Sequence, residues 1–197
     1  MADIKQTIQD FYKVAQTRDF TRDFQFRVLD VSNKGVPVFT EDDLVYATSA
    51  ILPGKQISPK EVPYNGFTFR IPGTVSYNNS DGFGIDFYCD ATSNSRVTME
   101  NWITETFNDE TSTGDGVIHN NSTITLAQLD TKFEVLRTYK LFGVFPVQAG
   151  DITYVMGGGT GEVLTVSLTF AYQFFRRDNE LNTAVNAIGK LAGAVLG

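Results

Sequence analysis

Two carboxylates spaced four residues apart, Asp86 and Asp90, are the first candidates for chemistry in this sequence. Paired carboxylates can carry out acid–base catalysis on a substrate held between them. Residues 83–89, however, alternate apolar and polar side chains with a period of two, which predicts a strand with one buried face. We therefore expect Asp86 and Asp90 to lie together on the solvated face of that strand rather than to form an active site.

The other residues that could act as nucleophiles, bases or metal ligands are isolated. The chain has one cysteine, Cys89, and one histidine, His119. A nucleophile triad needs a base beside the Ser or Cys, and a structural zinc site usually takes four Cys or His ligands. The Gly-rich segment 156–161 lacks the lysine of a phosphate-binding loop. We expect a protein that is not an enzyme and uses no metal or cofactor, with Cys89 buried on a strand and His119 exposed in a loop.

The composition predicts one globular domain. The chain has 197 residues, of which 42% are apolar and 13% aromatic, enough to bury a core without disulfides. Its net charge of −7 argues against sequence-specific DNA binding, which needs a basic patch, but suits a protein that DNA must pass without sticking. The first residues form no signal peptide, and no apolar run has membrane-spanning length. We expect synthesis in a cytoplasm and no membrane partner.

One internal helix is predicted after residues 93–95, which are good N-caps. Met99, Trp102, Ile103 and Phe107 follow at i, i+3, i+4 and i+8, so they share one helical face. We expect Trp102 and Phe107 to pack this helix against a sheet. Alternating patterns elsewhere indicate an all-β core of roughly six or seven strands, the longest over residues 163–175.

Residues 53–63 contain Pro53, Pro59 and Pro63. Because proline cannot donate a ladder hydrogen bond, we interpret this segment as a long loop rather than a strand. Long ordered loops in compact domains are often binding elements. The charged side chains of Lys55, Lys60 and Glu61 are the ones that a partner would meet there.

Three regions follow from these patterns. Residues 1–19 form an N-terminal arm or helix, residues 20–177 form the β-domain, and residues 178–197 form a C-terminal extension with the apolar stripe of a helix. The β-domain has strongly alternating strands and few helices to cover them. Closure of a ring between identical subunits is one way to remove the exposed sheet edges.

Several segments, taken in their order and spacing, resemble the tail tube proteins of contractile-tailed bacteriophages. They cover about residues 20–176. The segments are ILPG at 51–54, VPY at 62–64, FRIPG at 69–73, FGIDFY at 83–88 leading into MENW at 99–102, YKLFGVFP at 139–146, and the aromatic-ended stretch 164–175.

The resemblance implies a mainly β subunit, a tail-tube-type β-sandwich or barrel with one flanking helix. Six subunits would form a ring, each contributing four strands to a closed inner barrel, and the rings would stack into the inner tail tube through which DNA is ejected. Implied partners are other copies of the chain, the tail sheath protein, and the baseplate and tail terminator proteins. The implied location is the virion, after assembly in the host cytoplasm.

Two other functions stay open at this point. One is a tube subunit of a bacterial contractile injection or type VI secretion system, which shares the fold. The other is a small β-sandwich enzyme or sugar-binding module. For a tube, we expect the segment with Lys55, Lys60 and Glu61 to contact the next ring, with the N-terminal arm as the alternative. We expect an acidic to neutral lumen, with Asp86 and Asp90 as candidates to face it.

Overall fold

The computed structural model describes residues 7–18, 20–92 and 94–178. The predicted C-terminal helix and the predicted cap Ser93 lie outside these residues. The helices are α1 (Ile8–Thr17), α2 (Glu41–Val45) and α3 (Asn94–Thr106). The strands are β1 (Phe26–Asn33), β2 (Val36–Pro37), β3 (Ala47–Ala50), β4 (Lys55–Tyr64), β5 (Phe67–Tyr77), β6 (Phe83–Tyr88), β7 (Phe107–Asn108), β8 (Thr113–Gly114), β9 (Thr123–Leu129), β10 (Val135–Phe142), β11 (Phe145–Ala149), β12 (Thr165–Ala171) and β13 (Phe174–Asp178).

Two antiparallel sheets enclose the core. The five-stranded sheet has the order β13-β10-β9-β1-β2, and the four-stranded sheet has the order β11-β12-β6-β3. Side chains from both sheets form one apolar cluster, to which β6 contributes Phe83, Ile85 and Phe87, all fully buried. The fold is therefore mainly β, as the alternating patterns predicted, and its two facing sheets form a sandwich of the kind that the resemblance implied.

Helix α3 packs on this sandwich through its apolar side. Met99 is fully buried and Trp102 is 4% exposed. The ring centroid of Trp102 lies 5.9 Å from that of Phe170 on β12, so the indole covers the end of the four-stranded sheet. The helix begins beside Asp90, whose carboxylate accepts a 3.0 Å hydrogen bond from the backbone N–H of Asn94. This bond satisfies one of the donors that a helix N-terminus leaves free.

The prediction that Phe107 packs with Trp102 in the core is wrong. Phe107 is 58% exposed. Helix α3 ends at Thr106, and Phe107 starts the short strand β7, which pairs with β8. The i+8 position shares the helical face only if the helix continues, and here the chain has already changed direction.

The predicted strand over residues 163–175 is also wrong, because it is two strands in different sheets. Strand β12 lies in the four-stranded sheet and β13 in the five-stranded sheet. Between them Tyr172 is buried and donates its backbone N–H to the carbonyl of Ser80. The N–H of Gln173 bonds the carbonyl of Phe142. The apolar alternation runs through this crossover because both strands and the crossover face the same core.

A second short helix, α2, accompanies the flanking helix α3. The Thr40 side chain accepts from the backbone N–H of Asp43, and the Asp43 carboxylate accepts from the backbone N–H of Thr40, which is a capping box. Leu44 anchors the helix in the core. In the predicted N-terminal arm, α1 has a capping box of the same kind between Thr7 and Asp10, but none of its residues is buried.

Candidate assembly surfaces

The four-stranded sheet turns one face to the core and a second, polar face away from it. On β3, β6 and β12 this polar sheet face carries Ser49, Gly84, Asp86, Tyr88, Thr165, Ser167 and Thr169, and β11 adds Phe145 and Gln148. Ser49, Asp86 and Ser167 are direct neighbours on three adjacent strands. The Ser49 hydroxyl donates a 2.5 Å hydrogen bond to one carboxylate oxygen of Asp86, and the Ser167 hydroxyl donates to the other. The one carboxylate in this row is therefore held in place by two donors.

Asp90 does not share this face. Strand β6 ends at Tyr88, and Asp90 lies in the following turn, where the Thr92 hydroxyl donates to it at 2.6 Å. Its carboxylate also accepts the α3 capping bond from Asn94. The expectation that Asp86 and Asp90 lie on one strand face is therefore wrong. The alternating pattern continues in the sequence beyond Tyr88, where the strand ends.

Strands β4 and β5 form a separate two-stranded ribbon that connects β3 to β6, and this ribbon replaces the predicted loop. The ribbon turns at Asn65 and Gly66, both with positive φ, between the paired residues Tyr64 and Phe67. Asn-Gly between alternating residues is the strongest short-range signal of a hairpin, because both residues tolerate positive φ. This dipeptide is a sequence signal for the ribbon, and the prediction of a loop from the prolines did not take it into account.

The prolines fit the ribbon because β4 and β5 each pair with one described strand, namely each other. Tyr64 and Phe67 flank a two-residue turn, so they form a hydrogen-bonded pair, and such pairs recur at every second position. Pro63, Pro59 and Pro72 fall at the alternate positions, opposite Thr68 or each other. There the backbone nitrogen points to the free edge, where no N–H is needed. A bulge between Ile57 and Pro59 adjusts the register.

The two faces of the ribbon differ in character. On one face, the large apolar side chains are 42–72% exposed; we call this the apolar ribbon face, and its members are Ile57, Val62, Tyr64, Phe67, Phe69, Ile71 and Val75. The opposite face carries Pro63, Thr68 and the pair Glu61–Arg70, whose carboxylate and guanidinium are 3.3 Å apart.

The three charged residues predicted for this segment therefore separate. Lys60 lies opposite Ile71 on the apolar ribbon face, whereas Glu61 lies on the other face. Lys55 is at the base of the ribbon, with its ammonium 5.9 Å from the ring centroid of Tyr77. Tyr77 is partly buried against the core, so the apolar ribbon face is continuous with the core side of the sandwich.

A pocket of about 300 Å³ lies beside Trp102 and holds the one histidine. Asp115 binds the ammonium of Lys34 at 2.7 Å and the Nε2 of His119 at 2.9 Å. The hydrogen bond from Lys34, and then that from His119, hold the pKa of the Asp115 carboxyl well below its usual range. His119 is thus partly enclosed rather than simply exposed, and the cluster ties its loop to the end of β1.

This cluster offers no nucleophile. The Ser122 hydroxyl lines the same pocket, but it donates to the side chain of Asn33 and accepts from the backbone N–H of Lys34. Cys89 follows β6, and burial raises the pKa of its thiol. In the described part of the chain, no group of three or more His, Cys, Asp or Glu side chains could hold a metal. No helix in that part is long and apolar enough to span a membrane.

The decisive comparison is with protein families. The phage tail tube protein family matches residues 15–178. The chain belongs to this family. The match spans both sheets, the ribbon and α3, so the resemblance that the sequence motifs carried is confirmed. A phage tail tube protein is a structural protein rather than an enzyme. The hypothesis of a small β-sandwich enzyme or sugar-binding module is therefore excluded.

Solved structures share the fold of this tail tube protein at low identity. A chain of the cap that terminates the tube of the anti-feeding prophage is 14% identical, with a TM-score of 0.53 over 82% of this chain and 92% of that chain. A chain of the sheath/tube terminator of the extracellular contractile injection system PVC is 12% identical, with a TM-score of 0.51 over 82% and 98%. No curated protein sequence matches the tail tube protein.

Proposed function

We propose that six copies of this tail tube protein close into a ring, that rings stack into the inner tube of a contractile tail, and that DNA passes through the lumen during ejection. The observation that carries the proposal is the four-stranded sheet. Each of its outer strands, β11 and β3, pairs with one described strand only, so each has a free edge. Pairing β11 of one copy with β3 of the next removes both edges and generates a head-to-tail ring.

In that ring the polar sheet face lines the lumen. On β3, β6 and β12 its side chains are small or hydroxylic apart from Tyr88 and Asp86. Strand β11 adds Phe145 and Gln148, so these residues offer DNA phosphates no cation to bind. Asp86 is the lumen-facing carboxylate of the proposal. Asp90 is not part of this wall, because its carboxylate caps α3. Six copies carry a net charge of 6 × −7 = −42, which favours repulsion of DNA.

The ribbon supplies the contact between rings. An isolated two-stranded ribbon is marginally stable in water, and one with a bare apolar face needs a partner surface. The apolar ribbon face thus carries the contact, and Lys60 is the predicted charged residue on this face near the tip. Lys55 and Glu61 are secondary in the proposal, since Lys55 is at the ribbon base and Glu61 already pairs with Arg70.

The remaining proposed partners are the proteins that adjoin an inner tail tube. The tail sheath protein surrounds the tube, the baseplate lies at one end and the tail terminator at the other, in a virion assembled in the host cytoplasm.

The second candidate function is the tube of a bacterial contractile injection or type VI secretion system, because one of the two similar solved chains belongs to an extracellular contractile injection system. Genes for capsid and DNA packaging beside this gene would favour the phage tail.

The test removes the ribbon and keeps the sandwich. Ile57 and Val75 are directly opposite, so replacing residues 58–74 with Asn-Gly closes a shorter hairpin in the same register. We expect negative-stain microscopy to show long tubes for the wild type and single rings or monomers for the variant, with an unchanged circular dichroism melt. Long tubes from the shortened variant would refute the ring-to-ring role. A wild type that stays monomeric at high concentration would refute the tube.

A further inference from the structure

We infer that the apolar ribbon face of one copy is covered by helix α1 of a second copy. This inference rests on the proposed tube for its setting but not for its evidence. Helix α1 is the other element of the described chain that has an apolar stripe and no core of its own. Its stripe consists of Ile8, Phe11, Tyr12 and Ala15, and Phe11 and Tyr12 are 60% and 64% exposed.

Neither element is stable by itself. A helix of 10 residues is too short to persist alone in water, even with the capping box that starts it. The ribbon has the same difficulty, as argued above. The sequence nevertheless places regular apolar residues on one face of each: Phe67, Phe69 and Ile71 on β5, and the i, i+3, i+4, i+7 stripe on α1. Patterning of this quality indicates that each face is buried in the assembled state.

The two surfaces match in size. A two-stranded ribbon with strands ~4.8 Å apart presents a strip about as wide as one helix, ~10 Å. The tip of the ribbon from Lys60 to Tyr64 is about 17 Å long at ~3.4 Å per residue. Helix α1 is about 15 Å long at ~1.5 Å per residue. One helix therefore covers one ribbon tip.

Lys60 is the charged group that the covering helix meets at the ribbon tip. Lys60 is the one charged residue of the ribbon tip on the apolar face, and no described carboxylate pairs with it. Its aliphatic stem lies against Gly73, where a Cβ would come within 2.7 Å of the Lys60 Cγ. The C-cap of α1 is Arg18, and the Val14 carbonyl in the last turn already accepts from the Arg18 backbone N–H and from the Thr17 hydroxyl. The described charges therefore do not fix the direction of α1 on the ribbon tip, and the contact rests on the apolar side chains.

The area fits a contact made within a larger assembly. Bare aromatic side chains offer roughly 150–250 Å² each, so the ribbon and α1 together can bury on the order of 1,000 Å². Stable pairwise interfaces bury about 1,200–2,000 Å². The contact alone is therefore too small for a stable dimer, and it forms when ring stacking brings many copies together.

Disulfide cross-linking between two copies tests the inference. In a Cys89→Ser background, one preparation carries Phe11→Cys and a second, with a larger affinity tag, carries Phe69→Cys. Each preparation has a single thiol, so a Phe11–Phe69 disulfide must join two copies. A disulfide requires Cα atoms within ~7 Å, so we expect the mixed, assembled sample to give at least about ten-fold more heterodimer than the controls. The controls replace Thr68 on the other ribbon face, or Lys13 on the polar side of α1.

Each outcome is decisive. Equal cross-linking by the controls, or tubes that form normally without the Phe11–Phe69 cross-link, would overturn the inference while leaving the tube proposal intact. A dilute monomer carrying both Phe11→Cys and Phe69→Cys should form no internal disulfide. If it does, α1 docks within its own chain and the inference is wrong. Cross-linked pairs without tubes would support the inference and count against the tube.

Discussion

The indole of Trp102 lies 5.9 Å from the ring of Phe170, and this contact fixes α3 to the buried end of the four-stranded sheet. Trp102 is 4% exposed, whereas Phe107, five residues later, is 58% exposed. The sequence predicted that both aromatic residues pack one helical face against a sheet. The structure separates them into one core residue and one surface residue, which makes them a matched pair for mutation.

Trp102→Ala should lower the free energy of unfolding by about 3–5 kcal/mol, since it removes a buried aromatic side chain and leaves a cavity beside Phe170. Phe107→Ala should change it by less than about 0.5 kcal/mol, because an exposed residue loses little burial. Urea titration of both variants followed by circular dichroism measures the difference. Two variants of equal stability would mean that α3 is not docked through Trp102.

The Asp115 cluster predicts a pH-dependent stability. Lys34 and His119 depress the folded-state pKa of Asp115, so the unfolded state binds more protons near the ordinary aspartate pKa of ~3.9. The stabilisation is therefore complete well above ~4 and is lost as the pH falls through that value toward the folded pKa. We expect the stability difference between wild type and Asp115→Asn to be present at neutral pH and to shrink below about pH 4.

Urea unfolding at several pH values measures that difference directly. The control is Glu61→Gln, which breaks an ion pair whose side chains are both more than half exposed. Exposed pairs of this kind contribute little, so its unfolding free energy should stay close to that of the wild type. A wild type and an Asp115→Asn variant that lose stability in parallel on acidification would show that the cluster does not act through ionised Asp115.

Much of the sandwich could be predicted from local pattern. The alternation from residue 83 onward marked the core side of β6 correctly, because a strand with one buried face must repeat with a period of two. The same rule could not say where strands end. Asp90 continues the alternation but caps a helix, and Tyr172 continues it while the chain crosses between sheets. Boundaries of this kind depend on tertiary contacts that one sequence does not reveal.

The ribbon was missed for a different reason. Proline excludes a central strand, but it is compatible with every second position of a strand that has a free edge. Deciding between the two needs the register, and the register is set by the turn. Here Asn65-Gly66 fixes Tyr64 opposite Phe67, and all three ribbon prolines then fall on the edge side. The surface proposed to contact the next ring is therefore the apolar ribbon face, and not the charged side chains of a loop.

Asp86→Lys tests which sheet face lines the lumen. The two hydroxyls that now donate to Asp86, from Ser49 and Ser167, can equally accept from an ammonium, so the variant should fold and assemble. In the proposed ring it places six cations around the channel, where they bind phosphates by releasing condensed counterions. We expect tubes of the variant to retain short single-stranded DNA at low salt and to release it as the salt rises, whereas wild-type tubes retain none.

The matched control is Asp109→Lys, which makes the same charge change in an exposed turn after β7. Co-sedimentation of labelled DNA with purified tubes measures retention. Equal retention by the control, or none by well-formed Asp86→Lys tubes, would place the polar sheet face outside the lumen.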